Sequence, residues 1–202
     1  MDPATGLLAR AQRRDSPHQD ARPDGAGPEL IIIHGISLPP GEFGGPWIDR
    51  LFMGELDPAA HPYFAEIQGL EVSAHLLIRR DGSVIQYVPF GRRAWHAGSS
   101  CYGERQACND FSIGIELEGT DEAPYADAQY AALLRIIPAL QRAYPSLADA
   151  AVVGHEHVSP GRKTDPGPAF DWSRLRSLAT ARDDAQAGIA TSVATPVEGD
   201  GR

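Results

Sequence analysis

Cysteine is nearly absent: Cys101 and Cys108 are the two in 202 residues. They form no Cys-x-x-Cys pair, which excludes a disulfide-stapled scaffold and leaves two free thiols as the expectation. Basic residues are also in deficit, 18 Lys and Arg against 27 Asp and Glu, for a net charge of −9. With no basic stripe along any predicted element, nucleic acid is set aside as a partner, because such a chain is repelled by a phosphate backbone. No apolar run approaches the length needed to cross a bilayer. The first residues lack the apolar core of a secretory signal, since Leu7 and Leu8 are followed by Arg10, Arg13 and Arg14. The reading is therefore a cytoplasmic protein without a membrane partner. No internal repeat is present.

Apolar residues make up 42% of the chain, enough for one domain with a substantial core. Residues 1–28 show no periodicity and read as an irregular arm, with one helical turn around Gly6–Ala11. Leu30–Ile33 is a continuous β-branched run, the pattern of a strand buried on both faces, and it ends at His34 and Gly35. Prolines open two short predicted helices, Pro46–Met53 and Pro62–Gln68. Val72–Arg79 and Ser83–Val88 flank Asp81-Gly82, a strong hairpin signal. Phe111–Leu117 reads as a strand with Ile113 and Ile115 on one face. Asp127 is placed as the cap of a helix running to Ala143, which Pro138 should kink or split. Ala151–Val153 is a short buried strand delivering Gly154-His155. Asp171 caps a last helix with Trp172, Leu175 and Leu178 inward, and the residues from 181 to 202 are expected to be a disordered tail. Strands alternating with helices, plus a hairpin, predict a single α/β domain over 29–180, with a mixed central sheet flanked by helices.

His34 and His155 each follow a predicted buried strand, and Asp165 sits in a loop whose two prolines flank a glycine. Two histidines and a carboxylate, with a fourth position left for water, form a catalytic zinc arrangement. The alternative is a pair of buried, hydrogen-bonded histidines, and spacing alone leaves both open. Glu116 shares a strand face with Ser112 and Gly114, whose small side chains leave room for a substrate; Glu118 is equivalent on face alone. Lys163 or its neighbour Arg162 could face an oxyanion.

The motifs go further. His34 with ISLPPGEFGGPWID, then HPYFAEI, VSAHLLIRRDGSVIQYVPF, AWHAG, CNDFSIGIELEGTD and GHEHVSPGRKTDPGPAFDW, together with Ser16–Asp24 in the arm, resemble the amidase-2 and peptidoglycan-recognition superfamily. Within it they resemble the AmpD-type anhydro-N-acetylmuramoyl-L-alanine amidases, over about residues 10–178. The resemblance implies zinc bound by His34, His155 (rather than His157) and Asp165, with Glu116 as catalytic acid/base and Lys163 as oxyanion stabiliser. It implies cleavage of the lactyl–L-alanine amide of a small muropeptide by an enzyme of peptidoglycan recycling; a monomer is the separate expectation, and the sequence does not fix the oligomeric state. A wall amidase or endolysin acting on intact peptidoglycan, and a non-catalytic peptidoglycan-binding module, are the rival readings. Trp95 and His96 are candidate substrate contacts, since an aromatic plane suits the apolar face of a sugar; His75 reads as a supporting or core residue. The family pattern is broken at Gly35, where an asparagine is common, and at Glu71 and Ala107, where arginines are; Arg105 is a candidate replacement for one of the latter.

Overall fold

Ten strands and four α-helices run through the described residues, 1–175, of the computed structural model. The strands are β1 (Gln12–Arg13), β2 (Gln19–Ala21), β3 (Leu30–Ile36), β4 (Leu76–Ile78), β5 (Val84–Gln86), β6 (Arg92–Ala94), β7 (Cys101–Tyr102), β8 (Arg105–Gln106), β9 (Ser112–Glu118) and β10 (Val152–Gly154). The helices are α1 (Trp47–Phe52), α2 (Pro62–Glu66), α3 (Asp127–Ala143) and α4 (His155–Val158). The main sheet has the order β1-β5-β4-β9-β3-β10. Its β4–β9–β3–β10 segment is parallel, and the β4–β5 hairpin is antiparallel. This is the mixed α/β sheet expected from the sequence.

β3 lies inside the sheet because Leu30, Ile31, Ile32 and Ile33 have apolar side chains for both faces, and all four are shielded from solvent. The strand runs two residues past His34, so His34 lies within the ladder rather than beyond its end. The hairpin forms at Asp81-Gly82, where Gly82 adopts φ 81° and its N–H donates to the Arg79 carbonyl at 2.9 Å. Only a residue at ease in that left-handed region closes this turn without strain. The two paired strands are shorter than expected, three residues each.

Several other expectations are corrected. The arm is not irregular: β1 pairs with β5, β2 pairs with β6, and a turn bridged by Asp2 and Leu7 replaces the helical turn. β10 begins one residue later than expected, at the sheet edge and half-buried. Proline opens α2 at its first position, but Pro46 is the residue before α1. α3 is capped not by Asp127 but by Ala126, whose N–H is taken by Gln129 Oε1 at 2.9 Å. The helix continues through Pro138; a missing N–H removes one backbone bond, and Leu133, Ile137 and Leu140, all buried, hold the turn on both sides of it. In a separate unit beginning at Asp171, Asp171 Oδ1 accepts from the Ser173 N–H at 3.0 Å, as a cap does. Leu178 and residues 181–202 lie outside the described residues.

Candidate functional site

The β3–β9 register sets His34 directly beside Glu116. Neighbours across a parallel ladder point to the same face, so two residues 82 positions apart face one cleft. His155 arrives from β10, the strand on the other side of β3, as the first residue of α4. Asp165 is brought back to α4 by its own backbone, its carbonyl accepting from the Glu156 N–H at 3.0 Å.

The result is a tight triangle. His34 Nδ1 and His155 Nδ1 are 3.0 Å apart, and Asp165 Oδ2 lies 3.3 Å from the first and 3.1 Å from the second. His34 and His155 are buried and Asp165 is half-buried. The edges of a zinc tetrahedron with ordinary bond lengths are about 3.3–3.5 Å, so the three donors fit that ion. The outer nitrogen of each histidine meets an acceptor: His34 Nε2 is 2.9 Å from His96 Nδ1, and His155 Nε2 is 3.2 Å from the Ala97 carbonyl. Ring protons placed on the outer nitrogens would leave both inner ones as lone pairs available to one ion.

Burial pulls the His34 pKa down to about 4, against the pull of Asp165. Burial alone would raise Asp165, but its hydrogen bonds to His155 and His34 hold it well below the usual carboxylate range. The site therefore keeps His34 as a neutral imidazole and Asp165 as a carboxylate, protonation states that a metal needs.

Glu116 is buried, with Oε1 4.0 Å from His34 Nδ1 and Oε2 without a hydrogen-bond partner. Burial, then the Asp165 charge, pushes its pKa well above the ordinary value. Glu118, its equivalent on face alone, is already engaged: Arg79 and the Gly44 and Arg80 N–H groups bind its two oxygens. A similar contrast separates the two cations. The Arg162 guanidinium is bound to the carbonyls of Ala97 and Ser99 and to Ser159 Oγ, whereas Lys163 is exposed, lines the cleft, and lowers the pKa values of both His34 and Glu116 by its charge. His157 stands outside the triangle, its Nδ1 taking the Gly154 N–H.

The face holding Ser112 and Gly114 does not leave room for substrate. A Cβ on Gly114 would collide with the His96 ring, which occupies that space, and His96 Nε2 lies 3.2 Å from Ser112 Oγ. Burial and then the neighbouring histidines keep His96 well below its usual pKa, so it is a neutral partner of His34 that also borders the cleft. Trp95 stacks against His18, with ring centroids 5.9 Å apart, and is not among the residues lining the cleft. His75 is buried, accepting the Gly114 N–H at Nδ1. Arg105 pairs with Glu29 and lies over the Phe111 ring, and neither it, Glu71 nor Ala107 borders the cleft. Gly35 has a physical reason: a Cβ there would strike the Tyr125 hydroxyl, which donates to the Pro166 carbonyl next to Asp165. Tyr125 and Asn109 are contributors the sequence gave no sign of, since their roles arise from long-range contacts.

The cleft itself holds about 630 Å³. The triangle, Glu116 and Lys163 lie along one part of it, and Leu51, Phe52, Tyr63, Ile67, Leu70 and Val72 form an apolar wall. The family described as N-acetylmuramoyl-L-alanine amidase matches residues 24–168. The chain belongs to that family. This amidase is 62% identical over 173 residues to the 1,6-anhydro-N-acetylmuramyl-L-alanine amidase AmpD of Escherichia coli (strain K12), covering 86% of this chain and 94% of the relative. A crystal structure of a selenomethionine AmpD derivative superposes on the amidase with a TM-score of 0.84 at 61% identity, covering 86% of this chain and 97% of that one. The amidase also resembles the E. coli amidase AmiD, solved with anhydro-N-acetylmuramic acid-L-Ala-D-gamma-Glu-L-Lys, at 27% identity and a TM-score of 0.55, over 79% of this chain and 60% of that one.

Proposed function

We propose that this N-acetylmuramoyl-L-alanine amidase is a zinc enzyme of peptidoglycan recycling in the cytoplasm, hydrolysing the amide between the lactyl group of anhydro-N-acetylmuramic acid and L-alanine. The observation that carries the reading is the convergence of His34 Nδ1, His155 Nδ1 and Asp165 Oδ2 beside a buried carboxylate with an unused oxygen. The extensive likeness to amidases named for the anhydro substrate supports the choice of sugar. His34, His155 and Asp165 would hold the ion, which supplies Lewis-acid polarisation and a more acidic water. Glu116, kept basic and close by, takes the proton of the attacking water and passes it to the departing nitrogen. Its unpartnered Oε2 is the free acceptor this requires. Lys163, on the solvent side of the cleft, balances the charge that grows on the former carbonyl oxygen.

Residues 12–22 contribute two paired strands and the buried Arg22, so they are part of the folded body. Among the described residues no helix is long and apolar enough to cross a membrane.

Chromatographic rates on matched anhydro and reducing-end muropeptides, with short and long stems, test the substrate. The expected result is a preference of several orders of magnitude for the anhydro sugar, with stem length mattering less. Equal rates on both sugars, or faster release from intact sacculi, would replace this reading with a broader wall amidase.

A further inference from the structure

The two histidines of the triangle come from different strands, yet their outer nitrogens are served by one dipeptide. His34 Nε2 faces the His96 ring at 2.9 Å, and His155 Nε2 faces the Ala97 carbonyl at 3.2 Å. The carbonyl can only accept, so with Nδ1 given to a metal beside Asp165 the ring proton of His155 would be held on Nε2. His96 Nε2 lies 3.2 Å from the Ser112 hydroxyl, which can accept its proton; in that tautomer His96 Nδ1 accepts from His34. The dipeptide thereby supports, for both rings, the tautomer whose inner nitrogen is a lone pair.

His96-Ala97 lies outside the regular strands and has no ladder of its own to fix it. A single atom does so: Asn109 Oδ1 accepts the His96 N–H at 3.0 Å and the Ala97 N–H at 2.8 Å. Both lone pairs of that oxygen are used. Asn109 is anchored in turn, because its backbone carbonyl accepts from Arg22 Nη1 of the arm at 3.2 Å. That guanidinium also binds the carbonyls of Asp110, Phe90 and Ser112.

We propose that Asn109 is a positioning residue of the metal centre: its side-chain oxygen holds the His96-Ala97 dipeptide that supplies the outer hydrogen-bond acceptors of both ligand histidines. Asn109 touches neither ligand. It acts through the dipeptide, and losing an outer partner of a ligand histidine characteristically weakens metal binding by about 10–100-fold. The inference rests on zinc being held by His34, His155 and Asp165.

The test is a zinc and cobalt titration against a chromophoric chelator, with thermal melts of the metal-free proteins alongside. Wild type and His34→Ala come first. Indistinguishable affinities for those two would show that the metal is not at this site, and both the zinc assignment and the inference would fall. With the site established, Asn109→Leu should bind zinc about 10–100-fold more weakly, with an altered cobalt spectrum. Asn109→Asp keeps the accepting oxygen and should stay within about threefold of wild type. A second pair covers the case in which Asn109→Leu does not fold: His96→Phe should weaken binding, and His96→Asn, which retains an acceptor near the Nδ1 position, should restore most of it. Wild-type zinc affinity in the Leu and Phe variants, or equal losses in the conservative and disruptive member of each pair, would overturn the proposal.

Discussion

The cleft joins two halves of unlike construction. His34 and Glu116 stand side by side in the centre of the sheet, in register on strands seven residues long. Displacing either means slipping a ladder, which would turn its side chain to the other face. Lys163 and Asp165 instead ride on a loop, tied by Glu156 N–H to the Asp165 carbonyl, Lys163 N–H to the Ser159 carbonyl, and Tyr125 to Pro166. The strand half can hold a base at fixed distance from the reacting atoms. The loop half supplies a ligand and a cation whose positions a few hydrogen bonds decide. Substituting Glu116 on its strand should therefore alter chemistry at constant metal content, whereas substituting Asp165 on the loop should act first on the metal.

The largest expected effect is on the loop side. Asp165→Ala removes one of three ligands, and activity should fall to background because zinc no longer survives dialysis. Elemental analysis checks this, and a full equivalent of zinc retained at His34 and His155 would show that another residue completes the site. Glu116→Gln should keep zinc and the fold while turnover drops about 100-fold or more. Near-normal turnover in a zinc-loaded sample would remove Glu116 from the mechanism.

The same variant makes a pH prediction. The folded protein raises the Glu116 pKa above its ordinary value of 4.5, first by burial. A raised pKa means that the folded state holds the proton more tightly. Its contribution to stability is complete below the unfolded value and is lost as pH rises through the folded one. Metal-free Glu116→Gln should thus melt at a higher temperature than wild type at neutral pH, and the gap should close as pH falls towards 4. A gap that persists in acid would assign the gain to packing instead.

Smaller effects sharpen the contrast. Lys163→Met should lower kcat by about 100-fold with little change in zinc content, measured as kcat and KM on metal-loaded protein. Tyr125→Phe deletes one hydrogen bond to the Pro166 carbonyl, a loss of about 1 kcal/mol, and should weaken zinc binding about fivefold in the chelator titration. A Tyr125→Phe protein with unchanged zinc affinity would mean the loop is held without it.

Much of this arrangement could be read before the structure. The apolar run before His34, the hairpin at Asp81-Gly82 and the period of α3 all express local rules, and all appear. The metal triad could be named from strand-end position and the family motifs, and its three residues do converge. What escaped was non-local. Two- and three-residue strands such as β1 and β2 carry no period, so the arm looked irregular. Glu116 and Glu118 are alike by face, and the Arg79 guanidinium with the Gly44 and Arg80 N–H groups, all from elsewhere in the chain, separates them. Ser112 and Gly114 are small to admit the His96 ring from another part of the chain, and smallness by itself does not say which neighbour fills the gap. Trp95 was a candidate by chemistry alone, and its stacking on His18 depends on where the arm folds back.

The sheet order has a consequence for the protein during synthesis. β3 is made early, but its neighbours are β9 and β10, and His34 meets His155 across 121 positions of chain. At about 5–20 residues per second that interval takes on the order of 6–24 seconds. Until β9 is made His34 belongs to a strand without a partner on either edge, and even then the metal-binding triangle waits for His155 and Asp165. Any metal held by the triangle must be captured after nearly the whole body has left the ribosome, because an unfinished chain lacks two of the three ligand positions.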